Sequence, residues 1–391
     1  MTNTLGGSVS VTALIPTLYD ALDVISRELV GFTAACYRNS SAERAAKDQS
    51  VTYPVVGAAT TGDIAPGTTA VDDGDQTIGY GEIKITKSKY SPVRWAGEEA
   101  RSIGINGMIN PILRDQFAQS MRALVNLIEI DLWQAAYQGA SRVPLLPAAG
   151  TAPFGTANDL TEGANVRRIL EDNGCPTGDI HLVLGSAAMA NIRGKQSVLF
   201  KVNESGTSEL LRNGTIGELQ GFQLHNSAAI KPVTKGTGTS YTTNGSTAIG
   251  VSAITVQAGS NAINVGDIVT FAADTVNGYM VTQAVAAAGD VLKIGAPGAR
   301  VVIATGNAIT VGNDYTPNIA MGRHALHLVT RAPAMPDGGD SASDVTEVTD
   351  PVSGLTFQIA VYRQYRRVKY EVGIAWGCKA VKQEHIAVLR G

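Results

Sequence analysis

Cysteine is scarce in this chain: three residues in 391, Cys36, Cys175 and Cys378, share no CxxC or metal-ligand spacing. No secretory signal opens the sequence, so reduced thiols in a cytoplasm are expected. Positive charge is not in surplus, with 31 Lys and Arg against 34 Asp and Glu for a net −3. Dedicated nucleic-acid binders usually carry a clear basic excess, so that class is disfavoured. No apolar run reaches the ~18 residues of a bilayer span, and no membrane partner is expected. Also missing are G-x-S-x-G, a Walker loop, H-E-x-x-H and a G-x-G-x-x-G following a strand, which leaves no familiar hydrolase, nucleotide or metalloprotease signature. Cys175 and His181 are near in sequence but lack a third orienting group. His324 and His327 are three apart at what reads as a strand start. Neither pair is taken as a site, and no catalytic residue, metal or cofactor is expected.

What is present is the composition of a folded protein, 44% apolar and 17% charged, on a chain long enough for two or more domains. The most informative order of elements is a hairpin-like β arm running into one long helix. The arm joins residues 50–56 to residues 80–86 across a glycine-rich tip, 60–76, that holds Asp63, Asp72, Asp73 and Asp75. In the second arm strand Ile83 and Ile85 alternate with Glu82, Lys84 and Thr86, so one face is covered and the other wet. The tip is too polar to fold on itself and is expected to order against a neighbour. A helix is predicted over 111–138, with Asn110 as N-cap and Gly139 closing it. Leu113, Phe117, Met121, Leu124, Val125, Ile128, Leu132 and Ala136 form its stripe. At ~1.5 Å per residue the rod is roughly 42 Å long.

Upstream, residues 17–30 read as a first helix with Leu18, Leu22, Ile25 and Leu29 on one stripe and Asp20 and Asp23 off it, and a polar stretch, 38–49, leads to the arm. Downstream the pattern is mixed α/β. Thr161 is read as the cap of a helix ending near Asn173-Gly174, 180–184 as a buried strand, Ser186 as the cap of a short helix through Ile192, and 219–224 as a further strand. Then the texture changes. From Lys231 to Asp314 only Lys231, Lys235, Asp267, Asp274, Asp290, Lys293, Arg300 and Asp314 are charged, about half the density found elsewhere. Short apolar runs at 253–256, 267–271 and 300–303, separated by turn residues, predict an inserted antiparallel barrel or sandwich. The α/β pattern resumes at 326–329, and a strand-rich C-terminus covers 354–388.

Several segments resemble the major capsid (coat) proteins of tailed bacteriophages, specifically the short-tailed Salmonella phage coat proteins with an inserted β domain. Trp376-Gly377-Cys378-Lys379-Ala380-Val381-Lys382-Gln383-Glu384-His385-Ile386-Ala387-Val388 is similar to that family's closing motif, with Gln383 where the family has proline. Leu124-x-Asn126-x-x-Glu129 followed by Ala135-Ala136 resembles its spine helix, and Val11-Thr12 with Asp20 and Asp23 resembles its first helix. Val265-Gly266-Asp267-Ile268-Val269-Thr270-Phe271-Ala272 resembles a strand of its insert. The resemblance implies an α+β capsid fold: N-terminal arm (1–49), extended β loop (50–95), peripheral domain with the spine helix (96–143), axial domain (144–229 and 317–353), an inserted Ig-like or telokin-like β domain (230–316), and C-terminal strands returning to the peripheral domain (354–391). It also implies a non-enzymatic coat protein that assembles in a bacterial host cytoplasm into hexamers and pentamers of an icosahedral virion shell. Its implied partners are further copies of itself, a scaffolding protein, a portal protein and enclosed double-stranded DNA held without sequence-specific contacts.

The candidate contact residues are each open to a plainer reading. Glu129 beside the helical stripe is either a partly exposed glutamate or the partner of an arginine on an adjacent subunit, with Arg363, Arg366 and Arg367 as candidates. Read as one strand, the run 363–371 puts Arg363, Arg367 and Lys369 on one face and Arg366, Val368 and Tyr370 on the other, which favours subunit contacts over one-sided phosphate binding. Asp20 and Asp23 are either a solvated face or a contact for a basic scaffolding protein. The tip aspartates, with Lys84, Lys87 and Lys89, either pair between neighbours or keep the arm soluble. Two other readings stay open: an encapsulin-like nanocompartment shell, and a β-rich adhesin or decoration protein, which would leave the long helix unexplained.

Overall fold

The computed structural model describes residues 30–56, 78–104, 109–196, 217–350 and 354–391, together with Leu18, Asp20, Ala21, Thr61 and Pro66. Its axis is the helix Ile109–Gln138, about 45 Å long at 1.5 Å per residue. Every member of the expected stripe from Leu113 to Ala136 is buried. The helix begins at Ile109, so Asn110 lies inside it and is not the cap. Gly139 follows the helix as expected, and its lack of a side chain is needed for packing, since a Cβ there would collide with Ala380.

Two large sheets pack against this rod. The first has six strands: β1 (Tyr37–Ala45), β16 (Leu326–Pro333), β19 (Arg367–Ala380), β18 (Thr356–Gln364) and β17 (Asp344–Thr349) in that order, with β4 (Lys87–Ala96) also paired to β19. β1 falls in the stretch read as merely polar, and it runs parallel to β16. β4 follows the arm directly yet belongs to this sheet, matching β19 from Arg367↔Ala96 to Trp376↔Lys87. The run 363–371 is a hairpin, not one strand: Gln364 pairs with Arg367, and Arg366 sits at the turn with φ 54°.

The second sheet contains β6 (Ile180–Leu184), buried along its whole length as expected, between β15 (Pro317–Gly322) and β8 (Phe222–Asn226). The segment 219–224 is a tight hairpin, β7 (Glu218–Leu219) with β8, turning at Gln220 and Gly221 where φ is 51° and 77°. Before the helix Thr161–Asp172, Asp159 rather than Thr161 offers the terminal acceptor, taking the Thr161 N–H at 2.9 Å. The helix Ser186–Lys195 is preceded by Gly185, with no side-chain cap from Ser186.

From 241 to 311 the same sheet curls into a barrel. Strands β11 (Ile268–Phe271), β14 (Ala308–Val311), β9 (Tyr241–Thr243), β10 (Ala253–Gln257), β13 (Val291–Ile294) and β12 (Asp274–Gln283) pair antiparallel in sequence around it, and β12 closes back on β11. Tyr241, Val256, Phe271, Tyr279, Val281 and Leu292 fill its own core. The apolar run 300–303 is no strand; Ile303 makes one isolated bridge to Thr247 while Val302 is exposed. The barrel is joined to the host by ladder bonds, since β12 pairs with β5 (Arg142–Pro144), which in turn meets β20 (Ile386–Arg390).

Besides the spine helix, which leads from β4 to β5, two 3-10 turns carry the chain between the two sheets. The 3-10 turn Arg323–Ala325 carries β15 into β16, and the turn Gln383–His385 carries β19 into β20. The C-terminal strands therefore divide, with β18 and β19 in the first sheet and β20 in the second.

Candidate functional site

Among the described residues, the arm is poorly satisfied by its own chain. β2 (Ser50–Val56) and β3 (Ile78–Lys84) pair in continuous register from Ser50↔Lys84 to Val56↔Ile78, and neither pairs with any other described strand. Its root is firm. Ile83 and Ile85 are buried, Ile85 accepts from Asp48 N–H at 2.8 Å and donates to Gln49 O at 2.9 Å, and Lys379 Nζ reaches Glu82 O at 2.9 Å. Ile85, Ala45 and Ala375 make a small core beneath it. Gly377 allows that approach, because a Cβ there would enter the backbone of Lys84. Gly81 plays the same part opposite Tyr53, whose ring lies across it and comes to 5.8 Å from that of His327.

Beyond the root the apolar side chains face water: Val56 is 65% exposed, Ile78 69% and Tyr80 74%. Past that anchor, each outer strand edge offers N–H and C=O groups that no described strand pairs, the ordinary template for another chain. Pro54 removes one of those donors. The tip aspartates Asp63, Asp72, Asp73 and Asp75 lie outside the described residues, as does Asp23; Asp20 is helical and exposed.

A basic knob stands at the far end of β19. Arg363, Arg366 and Arg367 are exposed around the hairpin turn, Tyr365 is 86% exposed, and the Arg366 guanidinium lies 5.4 Å from the Tyr365 ring centroid. The Arg366 carbonyl accepts Gly97 N–H at 3.0 Å, which ties the knob to the helix Gly97–Gly104. Twelve residues separate Arg367 from Lys379, so knob and arm root are roughly 40 Å apart along one strand.

Two residues expected at subunit contacts are engaged within the chain. Glu129 is 3% exposed. Its carboxylate accepts Phe32 N–H at 3.1 Å, Thr33 N–H at 2.7 Å, the Thr33 hydroxyl at 2.6 Å and the Ser227 hydroxyl at 3.0 Å. Burial raises its pKa against the pull of those four donors. Glu129 thus fastens the short helix Phe32–Ala35 and the segment after β8 to the spine. Lys87 bonds Asp131 at 2.6 Å, and Asp131 also accepts the Trp376 indole N–H at 2.8 Å. Lys84 remains exposed at the arm root.

All five histidines gather near the crossovers, a cluster invisible in sequence. His181 Nδ1 is 3.0 Å from His225 Nε2, and its Nε2 is 2.8 Å from Asp179, which also holds Arg323 at 2.7 Å. Burial first, then the neighbouring His181 and Arg323, lowers His225 to about 4. His327 turns Nε2 to the His324 carbonyl at 3.1 Å, so the two rings do not form a pair; His324 meets His385 instead. The thiols of Cys36, Cys175 and Cys378 are free, and burial pushes them up to about 12, about 11 and about 12.

No protein-family model and no curated protein matches the chain. Among solved structures it is similar to one described as Mycobacterium phage Che8, at 13% identity over 88% of this chain and 84% of that chain, with a TM-score of 0.46. It is similar to the capsid structure of cyanophage P-SCSP1u at 12% identity, covering 93% of this chain and 88% of that chain, with a TM-score of 0.48. It is also similar to the virus-like particle from Pyrococcus furiosus at 10% identity, covering 96% of this chain and 97% of that chain, with a TM-score of 0.40. Among the described residues, no helix is long and apolar enough to cross a membrane.

Proposed function

We propose that this protein is the structural subunit of a closed shell, a major capsid protein of the tailed-phage type. One observation carries the reading: a rigidly rooted β ribbon whose outer half exposes Val56, Ile78 and Tyr80 and whose edges find no partner among the described residues. A two-stranded ribbon is marginal in water on its own, so its stabilisation comes from another copy. The acidic tip sequence and the basic knob are complementary in sign, and the arm root and the knob sit at opposite ends of β19, which suits head-to-tail contacts that close into rings.

In the finer form of this reading, hexamers and pentamers build an icosahedral procapsid in the bacterial cytoplasm, first around a scaffolding protein and with a portal at one vertex. The shell then encloses double-stranded DNA without gripping it, which suits a net charge of −3. The barrel at 241–311 is read as the inserted domain of the short-tailed Salmonella phage coat proteins. Asp20, exposed on its helix, is read with Asp23 as the contact for the scaffolding protein.

Sedimentation velocity and negative-stain imaging of the full chain test the reading, alone and with a scaffolding partner. The parent should form shells or rings above a threshold concentration. The triple variant Val56→Ser, Ile78→Ser, Tyr80→Ser should remain monomeric with an unchanged melting temperature. A parent that stays monomeric under all conditions, or a triple variant that assembles like the parent, overturns it.

A further inference from the structure

Three side chains unused by shell assembly converge where the chain crosses between its sheets. Cys175 follows the helix Thr161–Asp172, His324 sits in the crossover from β15 to β16, and His385 sits in the crossover from β19 to β20. The Cys175 sulfur and one ring nitrogen from each histidine all lie within 4.8 Å of one another, and His324 Nε2 is 2.6 Å from His385 Nδ1. Cys175 is 6% exposed and His385 8%, while His324 is half-buried on the solvent side.

The surroundings keep this cluster open and oriented. A Cβ on Gly322 would stand 3.0 Å from the Cys175 sulfur and 2.8 Å from His324 Cε1, so glycine preserves the space. The Gly322 backbone bonds the Cys175 sulfur in the sense that favours thiolate, and the Asn173 backbone bonds the His385 ring. Outer contacts of this kind fix ring orientation and tune thiolate and imidazole ligands in metal sites.

We propose that Cys175, His324 and His385 form a site for a divalent ion of the zinc class, which staples both sheet crossovers to the end of the helix Thr161–Asp172. The donor set is one sulfur and two imidazole nitrogens, which suits zinc or cobalt and rejects magnesium and calcium. Ligands about 2.0–2.3 Å from a tetrahedral ion lie roughly 3.3–3.6 Å from one another, so small side-chain rotations complete the site. The fourth position, toward solvent on the His324 side, takes water. Binding forms one metal–sulfur and two metal–nitrogen bonds and breaks the S–H bond of Cys175, whose proton leaves to solvent. No electron is transferred. Because the three ligands are distant in sequence, the ion binds the folded chain and stabilises it in proportion to its free concentration.

The test is cobalt titration of the full chain after chelator treatment. A thiolate-to-cobalt charge-transfer band should saturate near one ion per chain, be bleached by zinc, and vanish in Cys175→Ser while persisting in Cys378→Ser. His385→Ala should weaken cobalt binding at least tenfold. In the unaltered chain, zinc added in weak buffer at neutral pH should release about one proton per ion and raise the melting temperature. Absence of the band in the parent, its persistence in Cys175→Ser, or zinc binding with no proton release each overturns the site. The parent readings stand even if a variant fails to fold.

Discussion

The barrel and the arm are both antiparallel β structure, and they treat their strand edges in opposite ways. Six barrel strands close on themselves and bury Phe271, Tyr279 and Leu292 within. The arm has two strands, pairs with no other described strand, and shows Val56, Ile78 and Tyr80 to water. Closure removes the edges that make β structure adhesive, whereas a ribbon keeps them. Strand content alone therefore does not say whether a segment is self-sufficient; ring closure does. The barrel should answer to core chemistry, and the arm to concentration.

The largest expected effect is on the self-sufficient side. Phe271→Ala removes a ring packed edge-on to Tyr279 at 5.5 Å and should cost about 3–5 kcal/mol in denaturant unfolding. If the barrel unfolds independently, a separate early transition appears while the spine transition stays in place. The contrast between the two regions would break if Phe271→Ala abolished assembly without lowering stability.

Next comes the pin between the spine and the N-terminal segment. Glu129→Ala strands two buried N–H groups and two hydroxyls and should cost about 3 kcal/mol; Glu129→Gln, which retains an acceptor, should cost less. Both values come from equilibrium unfolding of the monomer.

Acidification ranks third. His225, buried and facing His181 within the field of Arg323, titrates at about 4 in the folded chain against about 6.5 unfolded. The unfolded chain holds more protons across that window, so stability is full above pH 6.5 and falls as pH drops toward 4. The loss amounts to about 2–3 kcal/mol, and His225→Asn should flatten the slope. A pH-independent unfolding midpoint between 4 and 6.5 would refute this.

The smallest effect belongs to Lys87. Its bond to Asp131 is made by a side chain 40% exposed, so Lys87→Met should lower stability by under about 1 kcal/mol and by less in high salt. A loss confined to assembled particles would return Lys87 to the subunit interface that its sequence position suggested.

Legibility followed the range of the forces involved. The spine helix and β6 were readable because burial periodicity is local, and the arm strands because Ile83 and Ile85 alternate with polar neighbours. β1 was not, since its partner β16 lies some 290 residues away and its sequence carries no apolar alternation. The turn at Tyr365-Arg366 carried no glycine or asparagine, so one strand was read where a hairpin stands. Glu129 showed a charge beside a stripe; its four donors come from segments about 97 residues away on either side.

By itself, then, the amino-acid sequence determined the helical rod, the ribbon and a charge-poor module, because each arises from periodicity or composition within a few turns of chain. The folded structure alone decided that the module closes into a ring, that Glu129 is buried and Lys87 pairs with Asp131 of its own chain, and that Cys175 meets His324 and His385. Those outcomes depend on which distant segments become neighbours, and local spacing carries no record of that choice.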